Sequence, residues 1–513
     1  LGLSGAALTT LGAAAAPGSR ATKQLRAAQD ETPKPGGILK VGLQADPTGL
    51  DPHVQSLTAI WHIVEHIYSN LTMVNPDLSI APGLAESWEI TEDGLTYTFH
   101  LRQGVTFHDG TPLTAGDVTF SFERLVSEEM ASPSAADLTS MASVEAPDDA
   151  TVVLTLSAPD ASILASLAGA SCIIMSEAFV TANNNDVTQT AMGTGPFAFV
   201  EYVPNTRVVL EKNPNYWEEG LPYVDGIEMT IAPEDTSRTG AVVTGTVDFI
   251  EYAPLRDIEM LEADSSLTLA GNTNTNIRMI GCNLEKEPFN NPLVRQAIAA
   301  VIDRDAILGP AVFGHGLPTE TIFPPDYWAA LQQEVRPPDV ARARELMAEA
   351  GLADGFETTI TSWSQYSFLS SAAVVVQEQI KQIGIEAELN LVENATMIDQ
   401  VYVAKTYDIA VTGTSAYVDP NGVFLDFKTG ESGNWVSYSN ARVDELIAQG
   451  IAVTDQAERT EIYQELQQIL LEELPWINLF IANQYEAMKS YVKGYVHIPT
   501  GSNIAFKTTW LDT

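Results

Sequence analysis

The sequence predicts a mixed α/β chain of several lobes, strand-rich in its first half and helix-rich in its second. Three observations carry that reading. The chain has 513 residues, 45% of them hydrophobic, ample for a large core and too long for one ordinary domain. Period-two alternation marks the segments before residue 233, and 3.6-residue periodicity marks those after residue 337. No short fixed repeat runs through the chain, so strands and helices pack as α/β or α+β layers.

The elements follow in order. Residues 1–18, LGLSGAALTTLGAAAAPG, are small, apolar and uncharged, and end in an Ala run suited to cleavage. They read as the remnant of a signal peptide, too short for a membrane span. Residues 19–36 carry Pro, Gly and polar side chains and read as a flexible leader, with ordered structure expected from about Gly37. No lipid-anchor cysteine follows the Ala run, since the first cysteine is Cys172. The expectation is export to the periplasm or the outer cell surface.

In LTYTFHL, Leu95, Tyr97, Phe99 and Leu101 point one way, while Thr96, Thr98 and His100 point the other. That is a half-buried strand, and Glu92-Asp93-Gly94 makes it the second arm of a hairpin. TVVLTLSAP (151–159), TRVVLEKN (206–213) and GIEMTIAP (226–233) are further strands bounded by turn residues. Asp339 opens a helix with Val340, Ala343, Leu346, Met347 and Ala350 on one face and Gly351 as its stop. A second helix puts Ile462, Leu466, Ile469 and Leu470 on its apolar face and ends before Pro475.

Charge and motif content exclude several functions. Lys plus Arg is 26 and Asp plus Glu is 67, a formal charge of −41. Such a field repels phosphate backbones, so no nucleic-acid partner is expected, and the charge serves solubility. There is no GxxxxGK[ST] phosphate loop and no GxSxG elbow, and GTGPF (193–197) lacks the third glycine of a dinucleotide fingerprint. His62 and His66 share a helix face, but the glutamate of HExxH and a third ligand are missing. They read as packed among Ile63, Val64 and Ile67 rather than as a zinc site. Cys172 and Cys282 fit neither a zinc nor a redox spacing; buried free thiols are expected, a disulfide being the alternative. No cofactor, metal or catalytic residue is expected. Carboxylates brought together only by folding leave an exported hydrolase open as a rival class.

Five stretches, in order, resemble the family 5 extracellular solute-binding proteins, the dipeptide, oligopeptide and nickel receptors of ATP-binding-cassette importers. They are GGILKVGLQADPTGLDPH (36–53), APGLAESWEITEDGLTYTFHLRQGVTFHDGTPLTAGDVTFSFERL (81–125), GTGPFAFVEYVPNTRVVLEKNPNYW (193–217), PFNNPLVRQAIAAVIDRDAI (288–307) and YSNARVDELI (438–447). The resemblance covers the chain from about Gly36 to its C-terminus. It implies the two-lobed periplasmic-binding-protein fold with an additional subdomain, joined by strands that cross between the lobes. Lobe I would take 37–56, 187–270 and 482–513, the inserted subdomain 57–186, and lobe II 271–481, after a leader over 1–36. It further implies a non-enzymatic, monomeric receptor that closes on a solute and delivers it to a membrane permease. A small peptide ranks first as solute, a sugar or opine-like conjugate second, and a metal complex third.

The resemblance also nominates site residues. In peptide-binding members the loop matching GTSAYVDP (413–420) carries an aspartate four residues before its proline, which pairs with the peptide ammonium. Here Ala416 stands at that position, Thr414 replaces an aromatic, and Ser415 and Tyr417 flank the change. Asp419 is either a substitute anion or a turn residue, its place beside Pro420 favouring the turn. The loss of the clamp favours solutes held by hydroxyls, amides and ring faces, because a desolvated ammonium without a partner is costly. Other positions match pocket-lining segments more loosely: Ser56, Thr58, Glu251, Tyr252, Asn274, Trp363, Tyr366, Phe368, Asn394 and Tyr402. Glu251 is the remaining candidate counter-ion for a cationic ligand. Trp363 and Phe368 have core packing as their alternative, and the asparagines of NTNTN have a turn.

Overall fold

A computed structural model describes residues 32–513. The signal-peptide remnant expected at residues 1–18 lies outside them. The first strand is Ile38–Leu43, and the predicted strands form at Thr96–Leu101, Thr151–Leu156, Arg207–Lys212 and Gly226–Ile231. The hairpin closes at Gly94, where φ is +68°, a conformation that glycine adopts without strain.

Two long antiparallel strands organise the molecule. Leu267–Cys282 and Trp476–Lys489 pair along almost their whole lengths. Their Leu267 and Lys489 ends lie in one half of the molecule and their Cys282 and Trp476 ends in the other. In the first half, Trp476–Lys489 pairs with Phe249–Ile250, which is parallel to Ile38–Leu43, which is parallel to Gly226–Ile231. In the second half, Leu267–Cys282 pairs with Ile409–Gly413, followed by the parallel strands Phe356–Trp363 and Ile385–Val392. The whole is one continuous 11-stranded sheet. The asparagine run 272–276 lies within the strand, but at a break in its pairing between Thr273 and Ile277, where Asn274 Oδ1 accepts from the Asn276 N–H at 3.0 Å in a local turn.

Separate cores follow from this layout. One, built on Leu39, Ile63, Phe197, Met229 and Phe249, fills the first half. Two more pack the second half, one around Ile298, Val376 and Ile409 and one around Phe424, Trp435 and Tyr463. A four-stranded antiparallel sheet holds the predicted hairpin and has its own core of Tyr97, Phe99, Phe122 and Leu154.

Helix Val340–Glu349 starts where Asp339 accepts a hydrogen bond from the Arg342 N–H, and it buries Ala343, Leu346 and Met347 as its period requires. Helix Gln456–Glu473 is rotated from the expected face. Arg459, Tyr463 and Gln467 are buried beside Leu466 and Leu470, while Ile462 and Ile469 are only partly covered. The physical reason is polar pairing. Arg459 meets Asp419, and the Gln467 amide nitrogen donates to the Ala329 carbonyl at 2.8 Å, so the guanidinium and the amide N–H both find acceptors inside. Cys172 and Cys282 are both free and buried.

Candidate functional site

The sheet dictates where a site can form. In parallel α/β sheets, ligands bind beyond the carboxyl ends of the strands. In the first half those ends are Leu43, Ile231 and Ile250; in the second they are Trp363, Val392 and Gly413. Both sets face the segment where the two long strands cross. Ile250 pairs with Ala487, a few residues from the crossing, and Gly413 pairs with Arg278 on its other side. The two halves therefore present their strand ends to one shared junction.

On the first side, Glu251 follows its strand directly and is 4% exposed. Its Oε2 lies 2.6 Å from His62 Nδ1, and its Oε1 accepts from the Gln44 N–H at 2.7 Å. Asn503 Nδ2 also donates to Oε2, at 3.2 Å. Burial disfavours the charge of both partners, but their mutual attraction wins: the His62 pKa is raised and the Glu251 pKa is lowered. Glu251 is thus matched inside the protein. Tyr252, half-buried with φ +45°, stacks on the His62 ring at 5.7 Å. Asn274 donates to Gln484 at 3.2 Å, and Gln484 donates to Glu486 at 3.1 Å. Ser56 and Thr58 are exposed at the start of helix Thr58–Ile67. His66, on the same helix, is fully buried against Phe506 at 5.1 Å, with neither ring nitrogen hydrogen-bonded. Among the described residues no cluster of three metal-ligating side chains forms.

On the second side the aromatic residues converge. Trp363 Nε1 donates to Thr412 Oγ1 at 3.2 Å, and the Tyr402 hydroxyl reaches the same oxygen at 2.8 Å. Tyr366, 45% exposed, sits edge-on to Trp363 at 5.5 Å and 5.8 Å from Phe368. Thr414 continues the pairing with the crossing strand: its N–H donates to the Ile277 carbonyl at 3.0 Å, and its Oγ1 accepts from the Ile277 N–H at 3.2 Å. Ser415 and Asn394 are exposed, and Ala416 and Tyr417 are half-buried. Asp419 turns away into a two-pronged pair with Arg459 at 2.8 and 2.9 Å and also accepts from the Asn421 N–H at 2.9 Å. The loop carboxylate is held by an internal guanidinium and a turn.

Sequence reasoning missed two charged residues here. Arg278 lies on the crossing strand with its guanidinium 5.1 Å from the Phe368 ring centroid. A Cβ at residue 413 would meet Arg278 Cδ and Nη1 at 2.7 Å, so Gly413 leaves the space the guanidinium occupies. Asp426 lies within electrostatic reach of Tyr402 and Tyr417, and burial pushes its carboxyl up to about 7. A lone cation inside the apolar run IRMIGC was the signal for Arg278. Asp426 gave none.

A two-half α/β sheet whose strand ends converge on a crossing segment defines the class of two-lobed binding proteins. The comparisons with known proteins agree. Residues 79–435 match the model of the bacterial extracellular solute-binding proteins, family 5, and the chain belongs to that family. Among curated relatives, the glutathione-binding protein GsiB of Pectobacterium atrosepticum is 29% identical over 88% of this chain and 90% of its own length. Among solved structures, AgaA of A. tumefaciens R10 in complex with agropinic acid is 31% identical with a TM-score of 0.79, covering 93% of this chain and 99% of its own. DppA of Helicobacter pylori in complex with the peptide STSA is 28% identical, also with a TM-score of 0.79, covering 94% and 99%. Among the described residues no helix is long and apolar enough to cross a membrane.

Proposed function

We propose that this protein is the exported, non-enzymatic receptor of an ATP-binding-cassette importer, taking a small peptide or a similar amino-acid-derived solute such as glutathione. The observation that carries the reading is the convergence of strand ends from both halves on one crossing segment. Trp363, Tyr366 and Phe368 supply ring faces on one side, and Tyr252 and Asn274 supply polar contact on the other. The names of the relatives support the solute class. Lobe I comprises 37–56, 187–270 and 482–513, lobe II comprises 271–481, and the inserted subdomain comprises 57–186. Closure about the two long strands brings contacts from both lobes onto the solute, so binding shifts the open–closed population. A differential of about 3 kcal/mol moves that ratio roughly a hundredfold. The closed form is the one presented to the permease.

The test is calorimetric titration of the purified protein with glutathione and a set of di- and tripeptides, followed by mass spectrometry of the recovered compound. One equivalent bound and recovered intact is expected. Chemical alteration of the compound would move the protein to the hydrolase class. Trp363→Ala is expected to weaken binding by about 1–3 kcal/mol, the range for a buried aromatic contact. Unchanged affinity in the same titration would return Trp363 to the core.

A further inference from the structure

We propose that Arg278 receives an anionic group of the solute, a carboxylate, at the junction of the two halves, between the Phe368 ring and the backbone of Thr414. The assignment rests on the receptor reading above and names the charge that the solute must carry.

Arg278 is half-buried. Four fully buried guanidinium groups face carboxylates: Arg124 with Asp51 at 2.6 Å, Arg238 with Asp235 at 2.9 Å, Arg304 with Glu320 at 3.4 Å and Arg459 with Asp419 at 2.8 Å. Arg295 instead fills its fork with carbonyls, including Glu473 at 2.7 Å. Arg278 has neither arrangement. Its Nη1 makes only long contacts, to the Ile277 carbonyl at 3.3 Å and the Thr414 carbonyl at 3.5 Å, and its Nε is buried without a partner. Burial alone lowers its pKa to about 10, with no carboxylate opposing the shift. Thr275 Oγ1 and Asn276 Oδ1 are likewise buried and unpartnered. Three orphaned polar atoms thus fall within four consecutive residues, where the strand ends of both halves meet.

A planar guanidinium is suited to grip a carboxylate through two parallel hydrogen bonds. A half-buried guanidinium whose Nε is sealed from water without an acceptor is costly to the protein that carries it, so its presence is explained when a ligand completes the pair. The loop that Thr414 opens beside Arg278 offers no free carboxylate, because its one acid, Asp419, is paired with Arg459, so the solute's register is fixed from its acidic end.

Two measurements on the full chain test this. The first is thermal melting of ligand-free Arg278→Met. Melting at or above the wild-type temperature is expected; a drop of several degrees shows that Arg278 is structural and overturns the proposal. The second is titration with glutathione and with its diethyl ester. Arg278→Met is expected to bind glutathione at least tenfold more weakly than wild type, and Arg278→Lys to recover part of the loss. The ester is expected to bind both proteins equally and weakly. Equal affinity of wild type and Arg278→Met for glutathione overturns the assignment. If the wild type binds neither glutathione nor the peptides, the solute class proposed above fails, and ligand-free melting alone decides the role of Arg278.

Discussion

Asp419→Ala is expected to destabilise the folded protein by about 3–5 kcal/mol, the range for leaving one member of a buried pair uncompensated. Asp419 and Arg459 have side chains 13% and 7% exposed and are joined by two hydrogen bonds. Arg459 is fixed from other directions as well. Its Nε donates to the Gly450 carbonyl at 2.9 Å, and its Nη2 to the Tyr463 hydroxyl at 2.9 Å. The guanidinium also lies 5.3 Å from the Trp328 ring centroid. It cannot follow a lost partner into solvent without abandoning these contacts. Urea denaturation of Asp419→Ala, Arg459→Met and the double variant checks the argument. The double variant is expected to be less destabilised than the sum of the singles, because it removes both charges together. Binding would weaken through loss of loop order. Were Asp419 the carboxylate that grips the solute, Asp419→Ala would keep its urea midpoint and lose affinity alone.

Asp419 also separates what is written locally in the sequence from what only the fold supplies. A carboxylate beside Pro420 signals a turn, and the turn forms, with Asp419 accepting from the Asn421 N–H. Its stronger partner lies 40 residues further along the chain, and no local pattern announces it. Glu251 and His62, 189 residues apart, repeat the lesson. Half-buried strands and capped helices were legible because alternation and capping are local physics. The period of helix Gln456–Glu473 is readable but its buried face is not, since Arg459, Tyr463 and Gln467 are polar-tipped and enter the core only where distant groups receive them. NTNTN combines both readings: the chain continues as one 16-residue strand through it, and the asparagine preference for turns is expressed as a local break in the pairing, with Asn274 accepting from the Asn276 N–H. Arg278, the charge proposed above to receive the solute, is a single residue in an apolar run.

The pH dependence of stability is expected to be the sum of opposing groups, exposed only by comparing variants. His66 is fully buried, and burial lowers its pKa to about 3. Between the ordinary histidine value near 6.5 and that folded value, the unfolded chain binds the proton and the folded one does not, so stability falls as pH falls. From pH 7 to pH 5 this amounts to about 2 kcal/mol. His53, lowered to about 4 by burial, acts in the same direction. Its Nδ1 accepts from Arg124 at 2.8 Å and its Nε2 donates to the Ser171 carbonyl at 2.9 Å, so a proton on Nδ1 would face a donor. Asp426 works against both. Its folded pKa is raised to about 7, so the folded state holds the proton more tightly than the unfolded chain, and stability rises as pH falls from 7 toward 4. The wild-type curve therefore hides each group behind another. His66→Phe, which keeps an aromatic ring against Phe506 and Phe197, should gain about 2 kcal/mol relative to wild type between pH 7 and pH 5. Asp426→Asn should lose about 2 kcal/mol relative to wild type over the same interval. Urea midpoints at the two pH values measure both. Parallel curves for His66→Phe and wild type would mean that His66 takes up its proton while folded, which requires an acceptor the buried ring does not have.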